Sequence, residues 1–422
     1  MTRTNRIIHT PEGVRDIYHE ECRRRLAVQE LILKVLYAYG YEHIQTPAFE
    51  FMDIFSQDRG SAGSREMFKF FDRDNNTLVL RPDMTPVIAR CAAKYFQEDA
   101  MPRRLCYLER TYKNNSSYQG LLKERTEMGA ELIGDGSADG DGEMAALAVE
   151  CLRAAGLKRF QIELGHARFY QSLLEEAGLS PETEAELSRL LQNRNGFGVE
   201  ELLKGEQVSG EMAALFAGLP QLFGSVGVIE KARRLTDNPE ALKALSRLEE
   251  VHQVLEAFSL SEYVSYDLGM LSNYRYYTGI IFKAYTHGSG GYIATGGRYD
   301  GLLRQFGKDA PATGFAIVVD RLMDALSRQG IPVSYKRLNT VILYEPAARR
   351  EALWLAGDLR RKGLDVQAMA RLAGRKVCDY ASMARERGLR NLLYLEDGGG
   401  IVRAMDLVLG KEDRIPLEAY KT

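Results

Sequence analysis

Gly296-Gly297-Arg298-Tyr299-Asp300-Gly301 and, shortly upstream, Tyr276-Tyr277-Thr278-Gly279 are the stretches on which the reading of this chain turns. Paired glycines mark backbone that something approaches closely. The tyrosines Tyr277 and Tyr299 bring hydroxyls that donate to, or accept from, a ring nitrogen such as that of imidazole. Together they describe a pocket for a small amino acid near the end of a long region of mixed strands and helices.

Working outward, residues 17–39 carry Leu26, Val28, Leu31, Ile32, Val35 and Leu36 at helical spacing, and Gly40 stops the helix. Residues 42–46 read as a short strand ended by Pro47. Residues 68–71 and 77–80 read as a hairpin around Asp74-Asn75-Asn76. A helix over 85–96 follows, then strands over 104–109 and 127–133 joined by a polar loop at 113–120. With a helix over 142–155 and a strand over 160–164, the pattern is that of an α+β sheet domain. From 169 to 257 strand signals vanish and helical stretches dominate, the last opened by Asn238-Pro239 as N-cap and first helical residue. A helical insertion is expected there. Strand patterns return at 263–268 and 279–285, and a helix near 320–327 closes a core spanning 1–327. After a linker, strands at 340–344, 364–368 and 391–395 alternate with helices at 347–362 and 375–387. Two short strands around Gly410-Lys411 follow. This predicts a separate α/β domain over 338–422.

A chain of 422 residues is too long for one ordinary core. It is 45% hydrophobic and 27% charged with a net charge of −2, as in soluble globular proteins, and a uniformly basic face for nucleic acid is not indicated. Five cysteines, none at CxxC spacing, fit reduced thiols in a cytoplasmic protein. Neither they nor the six histidines show metal-ligand spacing; His43, on a strand, reads as structural. No apolar run approaches the length of a membrane span, and the polar residues 1–10 do not read as a signal peptide.

Other segments are weighed against plain structural roles. Asp135 to Gly140 lacks the carboxylate a calcium loop needs at its twelfth position, occupied by Ala146, and reads as an acidic surface loop. Gly398-Gly399-Gly400 is a turn, and no P-loop is present. Arg81-Pro82-Asp83-Met84-Thr85 sits at a strand-to-helix junction. It is either a helix cap or a carboxylate and hydroxyl facing an ammonium group. Glu127 and Glu131 share one face of a strand. If Glu131 points inward it needs a partner, and a ligand imidazole or ammonium on the one hand and Arg298 on the other are equal candidates.

Taken together these segments resemble class II aminoacyl-tRNA synthetases, in particular the histidyl branch. Pro11-Glu12-Gly13-Val14-Arg15-Asp16 resembles its N-terminal signature, Gly40 to Pro47 its motif 1, Arg104 to Gly134 its motif 2, and Gly314-Phe315-Ala316 to Arg321 its motif 3. Tyr276 to Gly279 and Gly296 to Leu302 resemble its two histidine-specific motifs. The resemblance implies an antiparallel-sheet core with a helical insertion, followed by a domain like an anticodon-binding domain.

Two families share this pattern: histidyl-tRNA synthetases and the regulatory subunits of ATP phosphoribosyltransferase. The departures favour the second. Lys113 stands where the synthetase's phosphate-gripping arginine belongs and lacks its planar fork. Arg125 replaces the phenylalanine that stacks on adenine. Ser272 replaces a catalytic arginine, a loss that costs roughly two to three orders of magnitude in rate. Val318 replaces a small glycine, although Arg321 remains, and Glu127 replaces a glutamine. Asp83-Met84-Thr85 also matches the regulatory family. The histidine-side residues Asp83, Thr85, Glu131, Tyr277, Arg298 and Tyr299 are kept.

The resemblance therefore implies a non-catalytic subunit that joins the short-form catalytic subunit for the first step of histidine biosynthesis. L-Histidine would be its effector, with the ammonium near Asp83, Thr85 and Glu127 and the imidazole near Glu131, Tyr277 and Tyr299. It implies a homodimer, formed through the motif 1 region, within a hetero-oligomer. No cofactor, metal, membrane or tRNA partner is expected. A drifted histidyl-tRNA synthetase is the alternative, favoured by the tail beyond residue 338, and a histidine-binding paralogue with another partner is a third reading.

Overall fold

The computed structural model describes residues 8–55, 63–97, 101–115, 122–206, 208–271, 276–335, 339–396 and 398–421. The chain forms two compact units, residues 1–334 and 335–422.

The first unit is built on a nine-stranded sheet. Its strands are β1 (Glu42–His43), β5 (Arg103–Tyr112), β6 (Glu124–Ile133), β7 (Phe160–His166), β8 (Phe223–Gly224), β9 (Val264–Asp267), β10 (Ile280–Thr286), β11 (Ala294–Arg298) and β12 (Ala312–Val318). Across the sheet they run β1-β5-β6-β12-β11-β10-β7-β9-β8. From β5 to β7 every pairing is antiparallel; β1 and β9 join in parallel. The antiparallel core expected from the sequence is therefore present. A separate three-stranded sheet pairs β2 (Phe49–Phe51), β4 (Thr77–Leu80) and β3 (Lys69–Phe71).

One sheet face is packed by α1 (His19–Ala38), α3 (Ala138–Ala154) and α9 (Pro239–Ala257), and this is the main core. The other carries α2 (Thr85–Tyr95) and the pocket described below. Helices α4 (Ala167–Ala177), α5 (Pro181–Gln192), α6 (Gly196–Lys204), α7 (Gly210–Gly218) and α8 (Gly227–Arg233) lead to α9. At the start of α9 the Asn238 side chain accepts from the amides of Glu240 and Ala241, with Pro239 at the first helical position, which satisfies donors that would otherwise be orphaned.

Several local expectations need correcting. Strands β5 and β6 run well beyond 104–109 and 127–133, because they pair continuously to Tyr112 and Glu124. Asp135 to Gly140 is not a surface loop throughout. Ser137 caps α3 by accepting from the Gly140 amide, and Asp139 and Asp141 enter the first turn, where the helix dipole favours negative charge. Helix α1 buries Arg25 and Gln29 and leaves Leu26 and Leu31 outside, 58% and 38% exposed. Arg25 turns inward because its Nη1 donates to Asp320 Oδ1 at 2.7 Å while Asp320 Oδ2 accepts the Thr126 amide; Asp320 lies in α10 (Val319–Arg328).

The second unit has the strand order β14-β13-β15-β16-β17, from β13 (Thr340–Tyr344), β14 (Val366–Ala370), β15 (Asn391–Leu395), β16 (Ile401–Asp406) and β17 (Lys411–Pro416). β13 pairs in parallel with both neighbours. Its residues alternate between two cores. Ile342 and Tyr344 pack with α11 (Arg349–Arg361), and Val341 and Leu343 with α12 (Val377–Glu386). A parallel strand covered on both faces reads as a continuous apolar run, and Thr340 to Tyr344 does.

Candidate functional site

The pocket face of the large sheet is set by strand alternation. Glu127, Gly129 and Glu131 of β6 point the same way, with Gly314, Ala316 and Val318 of β12 beside them and Thr295 and Gly297 of β11 next. Glu131 is 1% exposed. Its Oε2 accepts from Tyr299 Oη at 2.5 Å and its Oε1 from Thr85 Oγ1 at 3.1 Å. Burial pushes the Glu131 carboxyl up to about 8, against the two hydroxyl bonds, which pull it down.

Glycines make the room. Gly314 pairs with Glu131, and a Cβ there would lie 1.7 Å from Glu131 Oε2. Tyr107 of β5 pairs with Gly129 and lays its ring over it, so that a Cβ at 129 would lie 2.5 Å from the Tyr107 hydroxyl. Gly297 similarly makes way for Tyr277, whose Cε1 would lie 2.7 Å from an added Cβ. The close approach expected of Gly296-Gly297 is thus made by side chains of the chain itself.

Asp83 is held from two sides. Its Oδ1 accepts the Thr85 amide at 3.2 Å, and its Oδ2 accepts from Tyr276 Oη at 3.1 Å. Tyr276 packs edge-on against both Tyr277 and Tyr299. Buried Arg81 fixes the approach to this turn. It donates to the carbonyls of Thr46, Pro47 and Arg110 and pairs with Glu109 Oε2 at 2.5 Å.

Thr85 therefore serves Glu131 with its hydroxyl and Asp83 with its amide. Asp83, Thr85, Glu127, Tyr277 and Tyr299 line one pocket, with Lys113, Arg125 and Val318 at the same cavity. Burial, then repulsion from Asp83, raises the Glu127 carboxyl; Lys113 and Arg125 oppose this. Val318 pairs with Glu127 across the strands. Arg321 does not line the cavity. It sits 4.6 Å from the ring centroid of Tyr292, which does, and donates to the Tyr292 carbonyl at 2.8 Å. Ser272 lies outside the described residues.

Arg298 is the correction. It is neither at the ligand side nor the partner of Glu131. Gly297 and Tyr299 take the pocket face, so alternation sends Arg298 through the sheet to the helical side. There its Nε meets Asp141 Oδ1 at 2.9 Å and its Nη1 meets Asp300 Oδ1 and the Asp135 carbonyl. Asp141 also accepts from Arg247 of α9 at 2.9 Å. Arg298 thus ties the strand before Tyr299 to α3 and, through Asp141, to α9.

Sequence reasoning missed Tyr276, Tyr107 and Gly314 as parts of the site. The first and last sit in stretches already singled out; Tyr107 carried no signal beyond its place in a strand.

The cavity between these groups is about 30 Å³, about the share of one water. An amino acid enters only if a wall moves. Lys113 and Arg125 form one end of that wall, and the sheet and the bonded tyrosines form the rest. A larger cleft of about 750 Å³ lies between α1 and the far ends of β5 and β6. Its principal charged groups already satisfy each other as Arg25–Asp320 and Arg81–Glu109, so the smaller pocket is the better recognition site. Among the described residues no group of three His, Cys, Asp or Glu side chains is placed to hold a metal ion, and no described helix is long and apolar enough to cross a membrane.

Comparison with known proteins fits this geometry. A family model described as histidyl-tRNA synthetase matches residues 13–322. A protein of Acetivibrio thermocellus named ATP phosphoribosyltransferase regulatory subunit is 37% identical over 94% of this chain and 93% of its own. The chain belongs to the ATP phosphoribosyltransferase regulatory subunit family. A regulatory subunit of Clostridium novyi is 31% identical over 98% of this chain and 97% of its own. The tail beyond residue 338 is thus shared with a regulatory subunit and does not favour a synthetase. The solved structure of a Bacillus halodurans protein described as an ATP phosphoribosyltransferase regulatory subunit/histidyl-tRNA synthetase is 32% identical. It superposes with a TM-score of 0.82 over 92% of this chain and 98% of that one. A histidyl-tRNA synthetase from Nostoc, 19% identical with a TM-score of 0.81, covers 98% of each chain and shares the fold. Membership makes this chain a regulatory, non-catalytic subunit of ATP phosphoribosyltransferase.

Proposed function

We propose that this regulatory subunit senses L-histidine in the pocket closed by Glu131 and passes that binding to a short-form catalytic subunit of ATP phosphoribosyltransferase. The buried Glu131 carboxyl, held by Tyr299 and Thr85, carries the reading. A carboxyl pushed to about 8 and sealed from water suits a group that shares a proton with it, as an imidazole does. Asp83 and Glu127 offer the negative charge an ammonium needs. Lys113, Arg125 and Val318 at the nucleotide end stand in place of the residues with which the synthetases activate a carboxylate.

Regulation requires that histidine bind one state of the assembly more tightly than another. The contracted cavity supplies one state, and a ligand that parts its walls supplies the second. Exposed Leu26 and Leu31 on α1, the helix that leads into the motif 1 stretch Gly40 to Pro47, suit a homodimer through that region, within a hetero-oligomer in the cytoplasm. The test is assembly. Mixed with a short-form catalytic subunit, the chain should co-elute with it and raise its phosphoribosyl transfer to ATP. Separate elution with no gain in activity would contradict the proposal.

A further inference from the structure

The pocket ends in two cations. Lys113 and Arg125 line the same cavity as Asp83, Glu127 and Tyr299. Along the pocket face of β6 the order is Arg125, Glu127, Gly129, Glu131, a cation, an anion, a bare floor and a buried acid. Strand geometry puts Arg125 and Glu131 about 20 Å apart at their Cα atoms, and both side chains are long enough to face one small molecule between them. Arg125 is half-buried, and its guanidinium makes no hydrogen bond or ion pair with the side chain of any described residue. A guanidinium left so in a pocket wall is an open, planar receptor for a carboxylate.

The charges point the same way. Two carboxylates, Asp83 and Glu127, face two cations, Lys113 and Arg125, across the cavity. An amine without a carboxylate would add positive charge beside Asp83 and Glu127 and bring nothing to the guanidinium of Arg125. A zwitterion balances both. We infer that Arg125, assisted by Lys113, is the α-carboxylate receptor of this pocket, so that the site selects a free amino acid over its alcohol or amide. This rests on the histidine reading above and adds to it the group that decides between histidine and its carboxylate-free analogues.

Isothermal titration of the full chain with histidine and with histidinol, which has a hydroxymethyl group where histidine has the carboxylate, tests it. The wild-type chain should favour histidine by at least about 30-fold. Arg125→Ala should weaken histidine by about 10- to 100-fold, the range expected on losing a charge-assisted hydrogen bond, and leave histidinol within about threefold. Arg125→Lys should recover part of the loss, which a merely structural role would not predict. Equal weakening of both ligands by Arg125→Ala, or no weakening of either, overturns the inference while leaving histidine binding intact. Failure of the wild-type chain to bind histidine overturns the parent reading and this one with it.

Discussion

Gly314 stands opposite Glu131 on the neighbouring strand, so close that a Cβ at 314 would fall 1.7 Å from Glu131 Oε2 and 2.7 Å from the Ala130 carbonyl. The buried acid exists because this position has no side chain. Gly314→Ala must expel the carboxylate from its two hydroxyl partners or part β12 from β6. Overpacking of this kind costs about 1–3 kcal/mol. Histidine affinity should fall at least about 100-fold. Calorimetric titration with a thermal melt checks both, and retained affinity would contradict this view of the pocket.

Binding should depend on pH in a bell. Free Glu131 holds a proton up to about 8, and free imidazole loses its own near 6.5. The complex keeps one proton between them. From about 6.5 to 8 the free partners also hold one, so affinity should be flat. Above 8 a proton must be taken up, and below 6.5 one must be released, so affinity should fall on both sides. A histidine titration series from pH 5.5 to 9 reads this directly; a monotonic profile would rule out the shared proton.

The same group costs stability at high pH. Its folded value lies above its ordinary one of 4.5, so the folded state binds more protons between those limits. The contribution of Glu131 is fully present below about 4.5 and is lost as pH rises through about 8. Glu131→Gln does not titrate. It should match wild type near pH 4.5 and exceed it by about 5 kcal/mol above pH 8, as read by urea unfolding at the two pH values.

Arg298 behaves differently from the pocket groups. It is 4% exposed and serves Asp141, Asp300 and two backbone carbonyls. Arg298→Ala leaves part of a buried charge uncompensated and should cost about 3–5 kcal/mol. Denaturant midpoints should drop accordingly, in contrast to the stabilisation expected of Glu131→Gln at high pH.

Much of this was legible in the residues. Helices with caps and apolar periodicity, such as the one opened by Asn238-Pro239, stood out, as did strands with apolar runs such as Thr340 to Tyr344. Strand β11 carried no such pattern, and β12 carried it only in its second half, Phe315 to Val318. Thr295-Gly296-Gly297 and Thr313-Gly314 have weak strand propensity, and their pairing is fixed by side chains of other elements packing onto the glycines. Glu127 and Glu131 were readable as one face, but the partner of Glu131 was not. Adjacent Arg298 and Tyr299 were both plausible until strand alternation sent them to opposite faces. Leu26 and Leu31 fit the apolar stripe of α1 yet lie outside, because the Arg25–Asp320 pair sets the rotation of the helix.

The most direct test of a histidine-sensing, non-catalytic subunit is the effect of histidine on the assembled enzyme. Histidine titrated into a mixture of this chain and a short-form catalytic subunit should progressively inhibit the transfer of phosphoribosyl groups to ATP, over the range in which histidine binds the isolated chain. Activity unchanged by histidine at concentrations that saturate the chain would contradict the account.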